Sequence, residues 1–177
     1  MKKQRNILLL LLFTLFLSTN SIYADEVKQA NVITGKVVRV TDGDTIHVAI
    51  TPYKKEKIRL FGIDAPESTQ QYGEQSRSSL AQMLGNGEVT VTYSNKDRYG
   101  RILGTVYSKK SKEIGKMFPN SEGSVNELMV RTGAAWSYDH YSTKYSALQK
   151  VAKKNKLGLW QNPYPEAPWD YRKRQRR

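Results

Sequence analysis

Carboxylates gathered at turns can hold a hard cation, and this chain has two such groups: Asp42-Gly43-Asp44-Thr45 and Asp64-Ala65-Pro66-Glu67. Carboxylate oxygens suit Ca²⁺, which needs several oxygen ligands and completes its shell with backbone carbonyls and water. Asp44 follows a tight turn at the mouth of an expected strand pair, and Asp64 closes the next strand. Pro66 stiffens the turn so that Glu67 can point back to the same place. With no cysteine and only 2 histidines, a thiolate- or imidazole-rich zinc centre is disfavoured. Two arginines complete the set: Arg59 before Asp64, and Arg101 after Asp97-Arg98-Tyr99-Gly100. A guanidinium grips two phosphate oxygens at once and keeps its charge. A pair of them beside a divalent cation could neutralise the extra charge of a pentacoordinate phosphoryl transition state. Taken singly, each feature has a plainer reading. Asp-Gly is a common hairpin turn, and a lone strand arginine commonly does no more than face solvent.

Strands must position these groups. Between residues 32 and 107, β-type residues run in short segments broken by turn residues. Expected strands cover 34–40, 45–50, 57–63, 88–93 and 101–107; Asp42-Gly43 turns the first pair. Helical spacing covers 74–84, 125–131 and 142–155, the first two stopping at Gly85 and Gly133. Five short strands with an interposed helix and two following ones predict an α+β fold: a five-stranded barrel of the oligonucleotide-binding type with three packed helices. Residues 108–124, rich in Lys, Ser and Gly, read as a long exposed loop.

The chain has 177 residues, enough for one domain. Its hydrophobic content of 38% excludes a wholly disordered chain. A net charge of +13 and a pI near 9.8 draw it to polyanions, nucleic acid or an anionic membrane. Residues 1–24 carry the pattern of a signal peptide. Lys2, Lys3 and Arg5 precede an apolar run over residues 7–17, and a polar stretch ends on Ala24. That run is too short to span a bilayer, which takes about 20 residues. Export is therefore expected, to a secreted or periplasmic location, with a flexible leader over 25–31 and a folded domain over 32–171. Residues 172–177 form a basic tail expected to lack structure.

In order along the chain, Thr41-Asp42-Gly43-Asp44-Thr45, Ile58-Arg59-Leu60-Phe61-Gly62-Ile63-Asp64-Ala65-Pro66-Glu67 and Asp97-Arg98-Tyr99-Gly100-Arg101 resemble the thermonuclease, or staphylococcal nuclease-like, family. Asn126-Glu127-Leu128-Met129-Val130-Arg131-Thr132-Gly133 looks like that family's next helix. Leu157-Gly158-Leu159-Trp160 and Pro165-Glu166-Ala167-Pro168-Trp169 resemble the C-terminal signature of its bacterial members. The resemblance spans residues 32–171. It implies a barrel with helices and Ca²⁺-dependent cleavage of DNA and RNA leaving 3′-phosphate ends, as a monomer with no stable membrane association once the signal is removed. It further implies Asp44, Asp64 and the Ala65 carbonyl as calcium ligands, and Glu67 as the base or positioner of water. Arg59 and Arg101 would clamp the phosphate, and Arg98, Tyr99, Tyr138 and Tyr141 would contact substrate, single-stranded or frayed. Ala65 stands where the best-known relatives carry Thr, and Arg98 where they carry Lys. Residues 68–71 are shorter than the basic loop some relatives have there.

Other residues invite notice. His47 alternates with Ile46 and Val48 and reads as an exposed strand residue, while His140, beside Tyr138 and Tyr141, could line a cleft. Trp136 and Trp160 read as core, and Trp169 as an anchor for the tail. Two other classes compete with a nuclease: a non-catalytic oligonucleotide-binding barrel, and a protein held at a membrane surface by its ends.

Overall fold

Alternation of apolar and polar residues folds into a barrel in the computed structural model, which describes residues 30–176. The expected signal segment, most of the expected leader and Arg177 lie outside the described residues. The strands are β1 (Asn31–Val40), β2 (Thr45–Thr51), β3 (Lys54–Leu60), a two-residue β4 (Ile63–Asp64), β5 (Glu88–Lys96), β6 (Ile102–Ser108) and a two-residue β7 (Trp136–Ser137). Five of them close in the order β1-β2-β3-β6-β5, with β1 pairing again to β5, while β4 and β7 form a separate small ladder. All barrel pairs are antiparallel except β3 with β6. Register shifts at Val37/Arg39, Ala49/Thr51 and Tyr93/Asn95 supply the bends by which a sheet this small closes on itself. Inside are Ile46, Val48, Ile58, Leu60, Val91, Ile102 and Val106, each at most 1% exposed. Half-buried His47 stands between Ile46 and Val48, as strand alternation requires.

The three expected helices are present: α1 (Gly73–Leu84), α3 (Val125–Arg131) and α4 (Ser146–Lys154). The last is shorter than 142–155. Tyr145, at its N-cap, is instead swallowed by the core, where its hydroxyl donates to Glu122 Oε1. Two further helices appear. α2 (Lys109–Gly115) occupies the first half of the segment expected as loop. Ser108 caps it by accepting from Ser111 N–H, and the Ser111 hydroxyl is bonded back at Ser108, closing a capping box. The rest of that segment wraps around the buried carboxylate of Glu127, which accepts from Ser121 Oγ and from the N–H groups of Glu122 and Gly123. α5 (Pro168–Gln175) takes up residues 172–175 of the expected tail as ordered helix, started by proline at its first turn. Among the described residues, no helix is long and apolar enough to cross a membrane.

Contacts at Asn126 and Gly133 fix α3 to the barrel and to the C-terminal segment. Asn126, fully buried, donates through Nδ2 to Phe61 O and Gly104 O and accepts from Val106 N–H, so α3 is stitched to the end of β3 and the middle of β6. Gly133 ends α3 at φ +71°, and a β-carbon there would strike the Leu157 carbonyl. Its own carbonyl accepts from Leu159 N–H, drawing in the 3₁₀ turn Gly158–Gln161. That turn packs Trp160 edge-on against Trp136, both mostly buried as core.

Candidate active site

Asp44 opens β2 and Asp64 closes β4, and one guanidinium joins them. Arg59 Nη1 lies 2.8 Å from Asp44 Oδ2, and its Nη2 lies 2.8 Å from Asp64 Oδ1. Asp44 is further held by Ala65 N–H donating to Oδ2 and by Thr45 Oγ1 donating to Oδ1. Leu60 N–H donates to the Asp44 carbonyl, binding the start of β2 to the end of β3. Asp42 has the role of turn former, its carboxylate accepting from Asp44 N–H. Gly43 is required by close approach: a β-carbon would run into Ser76 Oγ on α1 and into the Ala65 side chain. Burial, opposed by Arg59 and reinforced by the nearby carboxylates of Asp42 and Asp64, pushes the Asp44 carboxyl up to about 8. Asp64 has no exposed surface.

Glu67 joins this cluster through a residue that sequence reasoning placed in the tail. Arg172 Nη1 donates to Glu67 Oε1 at 2.7 Å and to Asp64 Oδ1 at 3.2 Å, while its Nη2 meets Asp64 Oδ2 at 2.7 Å. Burial works against the Arg172 guanidinium, but its bonds to Asp64 and Glu67 outweigh that and raise it above the ordinary arginine value. The Glu67 turn is itself held: Glu67 N–H donates to Gln70 Oε1, and Gln70 Nε2 donates to the Glu166 carbonyl just before α5. Arg172 is half-buried only because α5 exists. Pro168 at a helix start, with Trp169 and Arg172 three apart on one face, was the signal available in the chain.

Arg101 is paired with a different carboxylate, Asp97. Its Nε donates to Asp97 Oδ2 at 2.6 Å, and its backbone N–H to Asp97 Oδ1. Burial works against the Asp97 charge, but these bonds hold its carboxyl below the usual range. Tyr99, 69% exposed, lies under both Arg98 and Arg101, with guanidinium carbons 4.9 and 5.6 Å from its ring centre. The β3–β6 register sets Ile58 against Ile102. Arg59 and Arg101, each one residue from that inward-facing pair, therefore sit by alternation on the outward side of neighbouring strands.

An open groove of about 550 Å³ has Trp136, Tyr138, His140, Lys153 and Trp169 among its walls. Tyr138 stacks nearly parallel on Trp169, with centroids 5.5 Å apart, and meets exposed Tyr141 edge-on. The β4–β7 ladder pairs Asp64 with Trp136, which places this aromatic wall beside the acidic cluster, and burial, aided by the Asp64 carboxylate, raises the Tyr138 hydroxyl. Of the expected site residues, Asp44, Arg59, Asp64, Ala65 and Glu67 share one bonded network. Tyr138 and Tyr141 line its flank, and Arg98, Tyr99 and Arg101 form a second group around Asp97. Among the described residues, the acids do not stand as an open cage of three or more metal donors, for guanidinium groups lie between them.

Comparison with known proteins places this architecture. Residues 57–162 match the family described as staphylococcal nuclease homologue. An Escherichia coli protein described as an uncharacterized endonuclease is 44% identical over 144 residues, which is 80% of this chain and 86% of that protein. The micrococcal nuclease of Shigella flexneri is 39% identical over 143 residues, covering 78% of this chain and 80% of its own length. A staphylococcal-like nuclease of Arabidopsis thaliana, CAN1, is 35% identical over 125 residues, 70% of this chain but 35% of the plant protein. With a closed five-stranded barrel and matches of this extent, the chain belongs to the staphylococcal nuclease homologue family.

Proposed function

We propose that this protein is a calcium-dependent endonuclease that hydrolyses phosphodiester bonds of DNA and RNA with little sequence preference, leaving 3′-phosphate ends. The observation that carries the reading is Arg59 bridging two buried carboxylates at the barrel rim, with Glu67 tied to the same acids. The donor set fits a hard cation: carboxylate oxygens, a backbone carbonyl, and neither sulfur nor imidazole. Asp44, Asp64 and the Ala65 carbonyl would hold calcium. Bound there, the ion supplies electrostatic stabilisation of the charge that builds on the phosphoryl oxygens.

The chain's own groups do the rest. Glu67, its side chain 35% exposed, can reach a water and take its proton as the water oxygen bonds to phosphorus. As the phosphorus–O5′ bond breaks, the leaving oxygen takes a proton from solvent, Glu67 gives its own back to solvent, and a 3′-phosphate remains. Arg59, and Arg101 through the terminal nitrogens that Asp97 does not engage, stabilise the five-coordinate charge. Arg98 and Tyr99 would hold the neighbouring backbone. Tyr138 and Tyr141 would stack on bases, which favours single-stranded or frayed substrate because a paired base hides its face. With the signal pattern in residues 1–24, we assign its action to an exported, monomeric form.

The test is cleavage by purified protein of single-stranded DNA and of RNA in calcium, with end-group analysis. Both should be degraded to 3′-phosphate products, and chelator should stop the reaction; undiminished cleavage in chelator overturns the calcium mechanism. Salt gives a second check. Contacts from Arg59, Arg98 and Arg101 amount to two or three phosphates, so log affinity should fall against log salt with a slope of roughly −2. A flat dependence would contradict phosphate recognition.

A further inference from the structure

The acidic cluster already holds two cations of the chain's own, Arg59 and Arg172. Both oxygens of Asp64 are engaged: Oδ1 by Arg59 Nη2 and Arg172 Nη1, Oδ2 by Arg172 Nη2. Arg172 also takes Glu67 Oε1. Its position is built, not incidental. Three residues earlier on α5, Trp169 packs against Trp136 and Tyr138. The Tyr171 hydroxyl shares a 2.8 Å hydrogen bond with Thr69, Gln70 reaches the Glu166 carbonyl, and Asn162 Nδ2 donates to Gln71 Oε1. The C-terminal segment thus clasps the turn that carries Glu67 and lays one guanidinium across two of the site's acids.

We propose that Arg172 is an intramolecular competitor of the divalent cation, occupying Asp64 and Glu67 while the site lacks metal and turning away when metal binds. The inference rests on Asp64 being a cation ligand. An oxygen lone pair already donated to a guanidinium proton cannot also coordinate a metal. Two cations sharing one carboxylate also repel strongly where water is excluded. Arg59 pairs one oxygen of the fully buried Asp64, and Arg172 pairs the other together with Glu67, so neither is left as a bare charge, which would be costly. The Arg172 contact must be broken on loading, so it weakens apparent calcium affinity by the free energy of docking. The enzyme is thereby set to load only where calcium is plentiful. Side-chain rotation at Arg172 suffices, since Trp169 can hold α5 in place throughout.

The test is calcium titration by calorimetry, without nucleic acid, of the wild-type protein and of Arg172→Gln, Arg172→Lys and Lys173→Gln. Lys173 is an exposed neighbour on the same helix, so its variant removes a charge without touching the acids. Arg172→Gln should bind calcium roughly tenfold more tightly than wild type, and Lys173→Gln within about twofold. Thermal melting should show Arg172→Gln less stable without calcium, yet raised further by it than wild type. Should Arg172→Gln not fold, Arg172→Lys decides: it keeps the charge, loses the two-pronged grip, and should gain several-fold in affinity. Calcium binding that is unchanged or weaker in the Arg172 variants overturns the competition and leaves the proposed function standing. Absence of calcium binding in every variant, wild type included, overturns both.

Discussion

Glu67→Gln is expected to slow single-turnover cleavage of single-stranded DNA by roughly a thousandfold, the size of effect that a positioned base supplies. Melting temperature should barely move. Glutamine keeps the length of the side chain and an oxygen that can still accept from Arg172 Nη1, and the turn is independently held. Glu67 N–H donates to Gln70 Oε1, and the Glu67 carbonyl accepts from Gln70 N–H. What the amide lacks is basicity. Substrate affinity should therefore stay within about threefold while the chemical step collapses, the pattern of an interaction made only in the transition state. Cleavage within tenfold of wild type at saturating calcium would remove Glu67 from the role of base.

The second large effect lies in stability, at Asn126. Its side chain makes three hydrogen bonds to backbone groups of the barrel while having no exposed surface. Asn126→Ala strands Val106 N–H and Phe61 C=O in the interior and leaves Gly104 O with only the N–H of Phe61. A buried group without its partner costs about 1 to 3 kcal/mol, so the loss should total about 4 kcal/mol, a large part of the stability of a domain this size. Urea unfolding followed by circular dichroism measures it. Asn126→Asp distinguishes hydrogen bonding from volume. The shapes match, but the aspartate sets a carboxylate oxygen against two carbonyls and should be at least as damaging as alanine. If Asn126→Asp is nearly neutral, the bonds do not hold the barrel to α3. Phe61 leads directly from β3 into β4 and Asp64, so a milder loss here should also loosen the site.

How much of this could be read in the chain differs element by element. The strands flanking Asp42-Gly43 and Asp97 to Gly100 were legible because alternation and tight-turn residues act over a few positions. The stop at Gly133 was legible for the same reason: a left-handed residue closes a helix locally. The segment after β6 was not, because its serines make a capping box in which serine replaces the usual acid, and Glu127 gathers the following residues from beyond the segment itself. A run of Lys, Ser and Gly looks like loop when the buried carboxylate it wraps is out of view.

The acids and Arg59 announced themselves through residue type and short spacing. Asp44, Arg59 and Asp64 lie close enough along the chain that β2, β3 and β4 bring them together, with Glu67 three residues beyond. Sequence by itself therefore determined the barrel, the gathering of hard oxygen donors and the basic character that draws the protein to polyanions. Tertiary structure alone decided that Arg172, set in a run of charges like any solvated tail, closes on Asp64 and Glu67. The physical reason is range. Hydrogen-bonded turns and apolar periodicity are written within a few residues, whereas an ion pair between residues 108 positions apart exists only once Trp169 has packed α5 against Trp136 and Tyr138.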